Sequence, residues 1–108
     1  MAHAIISTDE TFQADVLNSE ILTLVDFWAA WCAPCRIISP VLEQLAELYE
    51  GRLRLVKLNV DENPWAATQY GIQAIPNLIF FRKGKAVDQV VGAVPKADLV
   101  RRIEALLA

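Results

Sequence analysis

Residues 21–35 read ILTLVDFWAAWCAPC (Ile21–Cys35). The first nine, Ile21–Ala29, are too apolar and too β-branched for a surface strand. They read as a central strand buried on both faces. Asp26 and Pro34 interrupt the run, which falls short of the ~20 apolar residues that span a bilayer. Directly after the strand stand two cysteines, Cys32 and Cys35, with Ala33 and Pro34 between them. A buried strand that delivers a dithiol to the start of a helix is the unit around which the rest of the chain is read.

Downstream, Cys35–Glu50 carries Ile38, Val41, Leu42, Leu45, Leu48 and Tyr49 at helical spacing. Pro40 falls inside this pattern. It lacks an N–H and crowds the preceding turn, so a kink is expected there. Leu53–Val60 is the next strand. Asn63 and Pro64 read as the cap and first position of a short helix ending at Gly71. Asn77–Phe81 and Ala86–Val91 flank Arg82-Lys83-Gly84-Lys85, a hairpin with a glycine-containing loop. Pro95 opens a last helix with Leu99, Ile103, Leu106 and Leu107 on one face. Upstream, Ala4–Ser7 reads as a short strand. Ser7 and Glu10 form a capping-box pattern for a helix whose inner face includes Phe12 and Val16. The order β-α-β-α-β-α-β-β-α implies a layered α/β domain with a mixed sheet.

Composition agrees. The chain has 108 residues, 55% of them hydrophobic and 21% charged, which is too apolar for a disordered chain. A core at this length needs no metal or disulfide staple. The net charge of −3 offers no basic excess for a run of phosphates, so nucleic-acid binding is not expected. The N-terminus has no cationic start, apolar stretch or small-residue cleavage site. Together with only two cysteines, this points to a reducing cytosol and away from a secreted disulfide scaffold. No membrane association is expected.

The chemistry is placed in Trp31-Cys32-Ala33-Pro34-Cys35. Near a helix start, unpaired N–H groups and the helix dipole favour an anion, so a thiol there has a larger thiolate fraction. Three-residue spacing in a helical turn sets the two Cα atoms about 5–6 Å apart, within disulfide range. Cys32, at the loop edge, is expected to face solvent. Cys35, one turn in, is expected to be shielded. The exposed thiolate would attack a substrate disulfide and the inner thiol would then displace the mixed disulfide. Pro34 fixes the turn at the helix entrance, where its missing N–H is not needed.

Three blander readings stand beside this one. Half of a zinc site would need further ligands, and only the distant His3 and carboxylates are on offer. A purely structural disulfide closing so short a loop removes only about 2 kcal/mol of chain entropy, and a reducing compartment would open it. Two inert core thiols leave the framing Trp31 and Pro34 without a purpose.

Asp26 stands in the most apolar strand. Burial without a nearby cation would raise its pKa and fit it to take and return a proton near neutral pH. Lys57 on the next strand is its candidate charge partner. The alternative is a buried ion pair without a role in the reaction.

At this point the sequence closely resembles the thioredoxin family along essentially its whole length. The resemblance rests on Trp31–Cys35, Val25-Asp26-Phe27-Trp28, Pro40, Lys57-Leu58-Asn59-Val60-Asp61, Tyr70-Gly71-Ile72, Ile75-Pro76 and Val91-Gly92-Ala93. It implies a single thioredoxin domain over residues 1–108, a three-layer sandwich whose mixed five-stranded sheet is flanked by four helices. It implies a thiol–disulfide oxidoreductase that reduces protein disulfides, is recycled by a thioredoxin reductase, and binds no cofactor or metal itself. A monomer is expected. The resemblance places Asp26 under the dithiol, serving Cys35 directly or through water. It implies a cis bond at Ile75–Pro76, with the Ile75 backbone open to pair with a substrate segment as an added strand. Trp31, Val60, Ile75, Pro76, Gly92 and Ala93 would form the apolar substrate-binding rim.

Several positions depart from the family pattern. Ala33 replaces the usual glycine between the cysteines and should stiffen the loop slightly. Ala74 and Asn77 flank the proline motif, where Asn77 would add an amide near the groove. Arg36 replaces the common lysine and keeps a cation beside the dithiol. Trp65 either packs as core under the short helix or extends the docking surface. His3 is assigned nothing. Two rival functions remain open: a thiol oxidase or isomerase of an oxidising compartment, and a thioredoxin-fold binding module or enzyme subunit in which the dithiol is secondary.

Overall fold

A strand buried on both faces must lie inside a sheet with helices on either side, and residues 22–27 are all buried. The fold is given by a computed structural model that describes residues 4–108; His3 lies outside the described residues. The chain runs β1 (Ala4–Ile6), α1 (Gln13–Leu17), β2 (Leu22–Trp28), α2 (Ala33–Leu48), β3 (Leu53–Asn59), α3 (Pro64–Gln69), β4 (Asn77–Arg82), β5 (Lys85–Val91) and α4 (Lys96–Leu107). The five strands form one mixed sheet in the order β1-β3-β2-β4-β5. β3 runs parallel to β1 and β2, while β4 runs antiparallel to β2 and β5.

Alternation along the central strands divides the core in two. Leu22, Leu24, Leu55 and Leu78 face α2 and α4, meeting Ile38, Leu42, Leu99 and Ile103. Val25, Phe27, Val56 and Ile79 face α1 and α3, meeting Phe12, Val16 and Ala66. The result is the expected three-layer α/β sandwich with four helical segments.

Local windings differ from the sequence reading in four places. The reciprocal cap before α1 is made by Thr8 and Thr11, not by Ser7 and Glu10. Each of the two hydroxyls accepts the other residue's backbone N–H, at 3.0 and 3.2 Å. α1 itself takes the wider π spacing, with the Asn18 N–H reaching the Gln13 carbonyl at 2.9 Å. α2 begins two residues earlier than expected, at Ala33. Asn63 makes no side-chain cap for α3. The cap comes from Asp9, whose carboxylate accepts the Trp65 and Ala66 N–H groups at 3.0 and 2.9 Å.

The hairpin turns on Lys83 and Gly84 alone, with φ values of 49° and 80°. Two successive left-handed residues match the twist of the flanking strands. On the other side, the Tyr49 hydroxyl donates to Glu104 at 2.6 Å and ties the end of α2 to α4. Arg102 grips both carboxylate oxygens of Asp88 at 2.8 and 3.0 Å, fixing α4 to β5.

Candidate active site

β2 ends at Trp28 and the chain turns through Ala29–Trp31 before α2 begins, with the Cys32 N–H donating to the Ala29 carbonyl at 3.2 Å. Cys32 is the N-cap of α2, in extended backbone with φ −92° and ψ 105°. Ala33 and Pro34 supply the first turn, where Pro34 forfeits no helical hydrogen bond. Cys32 and Cys35 are joined as a disulfide with their Cα atoms 5.3 Å apart, inside the expected range.

The expected contrast in exposure is corrected. Cys32 and Cys35 are both buried, at 4% and 3% exposure. In the oxidised pair the Cys32 sulfur lies over the helix end, and Ala29, Trp28, Val60 and Ile75 pack around the bridge. The two sulfurs differ instead in hydrogen bonding: Cys32 Sγ accepts the Cys35 N–H at 3.2 Å. That sulfur occupies the place of a capping anion, at the positive end of a 16-residue helix.

On the same side of the sheet as α2 lies a charge pair whose acidic member is buried. Asp26 and Lys57 are register partners on adjacent parallel strands, so both side chains leave the sheet on the α2 side. Asp26 is 1% exposed, and neither carboxylate oxygen has a hydrogen-bond partner among the described residues. Lys57 Nζ stands 4.0 Å from Asp26 Oδ2. Its hydrogen bond goes to Ser39 Oγ at 2.7 Å, and it lies 5.4 Å over the Trp28 ring. Burial pushes the Asp26 carboxyl from 3.8 up to about 6, against the opposing pull of the Lys57 charge.

The remaining candidates gather around this centre. Trp31 is 70% exposed, yet its indole Nε1 donates to Asp61 Oδ2 at 2.9 Å. Val60 and Ile75 are half-buried against the disulfide. The Ile75–Pro76 bond is cis, as the resemblance implied. Pro76 is buried, and its carbonyl accepts the Gly92 N–H at 2.8 Å, which brings the end of β5 to the proline. Gly92 adopts φ +97° with open space where a Cβ would lie, so its glycine answers a backbone conformation. Ala93 is exposed next to it. Arg36 donates through Nη1 to the Ala30 carbonyl at 2.7 Å, which keeps a cation over the turn preceding the dithiol.

Two departures are resolved. Trp65 is 55% exposed, so it is not core. Asn77 is buried in β4, where its Oδ1 accepts from Gln89 Nε2 at 2.9 Å. Two residues with contacts in the site, Ser39 and Asp61, were given no role by the sequence. Ser39 stands one helical turn beyond Cys35, an i+4 signal that could have marked it. Asp61 stands two residues past the end of β3, and nothing local announces its reach to Trp31.

Among the described residues no helix is long and apolar enough to cross a membrane, and no three His, Cys, Asp or Glu side chains gather as metal ligands. The thioredoxin family model matches residues 3–105. Thioredoxin 1 of Nostoc sp. is 52% identical over 104 residues, covering 96% of this chain and 97% of the relative. The thioredoxin of Synechocystis sp. is 53% identical over 100 residues, covering 93% and 94%. The thioredoxin M-type, chloroplastic, of Chlamydomonas reinhardtii is 50% identical over 99 residues, covering 92% and 71%. With a closed Cys-Ala-Pro-Cys couple at the head of its longest helix and such similarity over nearly all its length, the chain belongs to the thioredoxin family and is a thiol–disulfide oxidoreductase.

Proposed function

We propose that Cys32 is the attacking sulfur and Cys35 the resolving one in the reduction of protein disulfides. The observation that supports this order is the Cys35 N–H directed at Cys32 Sγ, which favours negative charge on that sulfur. In the reduced chain the Cys32 thiolate attacks one sulfur of the substrate disulfide and expels the other as a thiolate. Cys35 gives up its proton and attacks Cys32 Sγ, which closes the intramolecular disulfide and releases the substrate's second sulfur. The substrate gains two electrons and the chain loses two. Asp26 is the proposed proton acceptor for Cys35: a carboxyl raised to about 6 is mostly ionised at neutral pH yet basic enough to take part. Lys57 would temper that basicity.

Trp31, Val60, Ile75, Pro76, Gly92 and Ala93 are the proposed docking rim, with the Ile75 backbone pairing to an extended substrate segment. Ala33 and Pro34 hold the loop. A thioredoxin reductase is the proposed source of electrons, and a reducing cytosol the proposed compartment. The domain is proposed to span residues 1–108 and to act as a monomer.

The test is insulin reduction with dithiothreitol, followed by turbidity. Cys32→Ser and Cys35→Ser are both expected to be inactive, and only Cys35→Ser to accumulate covalent complexes with substrate. Complexes accumulating on Cys32→Ser instead would reverse the assignment.

A further inference from the structure

The Lys57 ammonium has two acceptors within reach and touches only one. Its Nζ lies 2.7 Å from Ser39 Oγ and 4.0 Å from Asp26 Oδ2, so the hydroxyl takes the hydrogen bond and the buried carboxylate goes without. A charged acceptor normally outcompetes a neutral one, because the bond to it is shorter and about twice as strong. The geometry therefore needs a cause. Lys57 sits on β3 and Ser39 on α2, four positions past Cys35, so the helix that carries the dithiol also carries the hydroxyl.

We propose that Ser39 is a positioning residue for the proton chemistry of the site: its hydroxyl holds the Lys57 ammonium off Asp26 and keeps the two charges from closing into a contact pair. This rests on the proposed role of Asp26. Among the described residues neither oxygen of the carboxylate has a hydrogen-bond partner. On β4 its register partner is the uncharged Leu78. From α2, Ser39 meets the ammonium with a neutral hydroxyl, and the α4 residues in the core on this side of the sheet, Leu99 and Ile103, are apolar. Lys57 is the cation that acts on Asp26, from β3. An opposite charge at contact lowers a carboxyl more than one held at a distance. Ser39 thus keeps Asp26 a stronger base, with the cation near enough to limit the cost of burying it.

The test is an NMR titration of the Asp26 carboxyl in the full oxidised chain. In Ser39→Ala the ammonium loses its neutral acceptor and closes on the carboxylate, so the midpoint falls by about one pH unit. Ser39→Thr keeps a hydroxyl and holds the wild-type midpoint. In a Lys57→Met background, Ser39→Ala no longer moves it. A midpoint that stays or rises in Ser39→Ala overturns the proposal, as does an equal fall without Lys57. The rate and pH profile of Cys35 attack are read separately. A fallen midpoint with an unchanged profile upholds the Ser39 assignment and removes Asp26 from the proposed mechanism.

Discussion

The carboxylate of Asp9 closes helix α3 from 57 positions away in sequence, accepting the Ala66 N–H at 2.9 Å through Oδ1. Its other oxygen takes the Trp65 N–H, and its own backbone N–H donates to Asn63 Oδ1 at 2.9 Å. One residue thus satisfies two orphan donors of a short helix and pins the segment between β1 and α1 to it. Asp9→Ala should cost about 1–2 kcal/mol, and Asp9→Asn less, since one acceptor oxygen survives. Urea denaturation midpoints check this.

Asp26 makes stability pH-dependent with a definite sign. Its folded pKa lies at about 6, above the ordinary 3.8, so between those values the folded chain holds more proton than the unfolded one. Stability contributed at this site is therefore greatest below about pH 4 and is lost as pH rises through 6. Asp26→Ala removes the titration. The stability gap between variant and wild type should move in the variant's favour by about 2–3 kcal/mol between pH 4 and pH 7.5. A gap that stays constant over that range would show that Asp26 does not titrate abnormally.

Trp31 is held by Asp61 although most of the ring is in water. Such a tether does little for folding but orders a large apolar surface before a partner arrives. Asp61→Ala should leave stability within about 0.5 kcal/mol. For a protein disulfide it should raise KM about five-fold with kcat nearly unchanged, the signature of lost uniform binding.

The β4–β5 turn offers a gain and a loss. Lys83 holds φ 49°, a conformation that asparagine tolerates better than lysine. Lys83→Asn should stabilise the chain by about 0.5–1 kcal/mol. Gly84 holds φ +80°, and a Cβ there would lie 3.2 Å from the Leu17 carbonyl oxygen. Gly84→Ala should cost about 1–3 kcal/mol. Thermal denaturation of the two variants should bracket the wild type.

The architecture was readable because its signals are local. An apolar run that must be buried on both faces gave β2, helical spacing gave α2 and α4, and a glycine-containing loop between strands gave the hairpin. What escaped the reading depends on distance in sequence. Asn63 has the chemistry of a cap, but Asp9 arrives from another element and takes the position, leaving Asn63 to receive the Asp9 N–H. Cys32 looked exposed because loop edges usually are, but in the closed bridge it is buried among Ala29, Trp28, Val60 and Ile75. Asp26 was legible as a misplaced carboxylate and Lys57 as its neighbour. That the lysine would bind Ser39 instead depends on how α2 lies across the sheet, which no pattern within one element reveals.

The sulfur proposed to react is also the group that closes the dithiol helix. Any change in its bonding must therefore be felt by one peptide hydrogen, the amide of Cys35. That proton is a native gauge of the couple: its resonance and its exchange with solvent should report whether the bridge is open, shut or shared with a visitor, without any dye or tag.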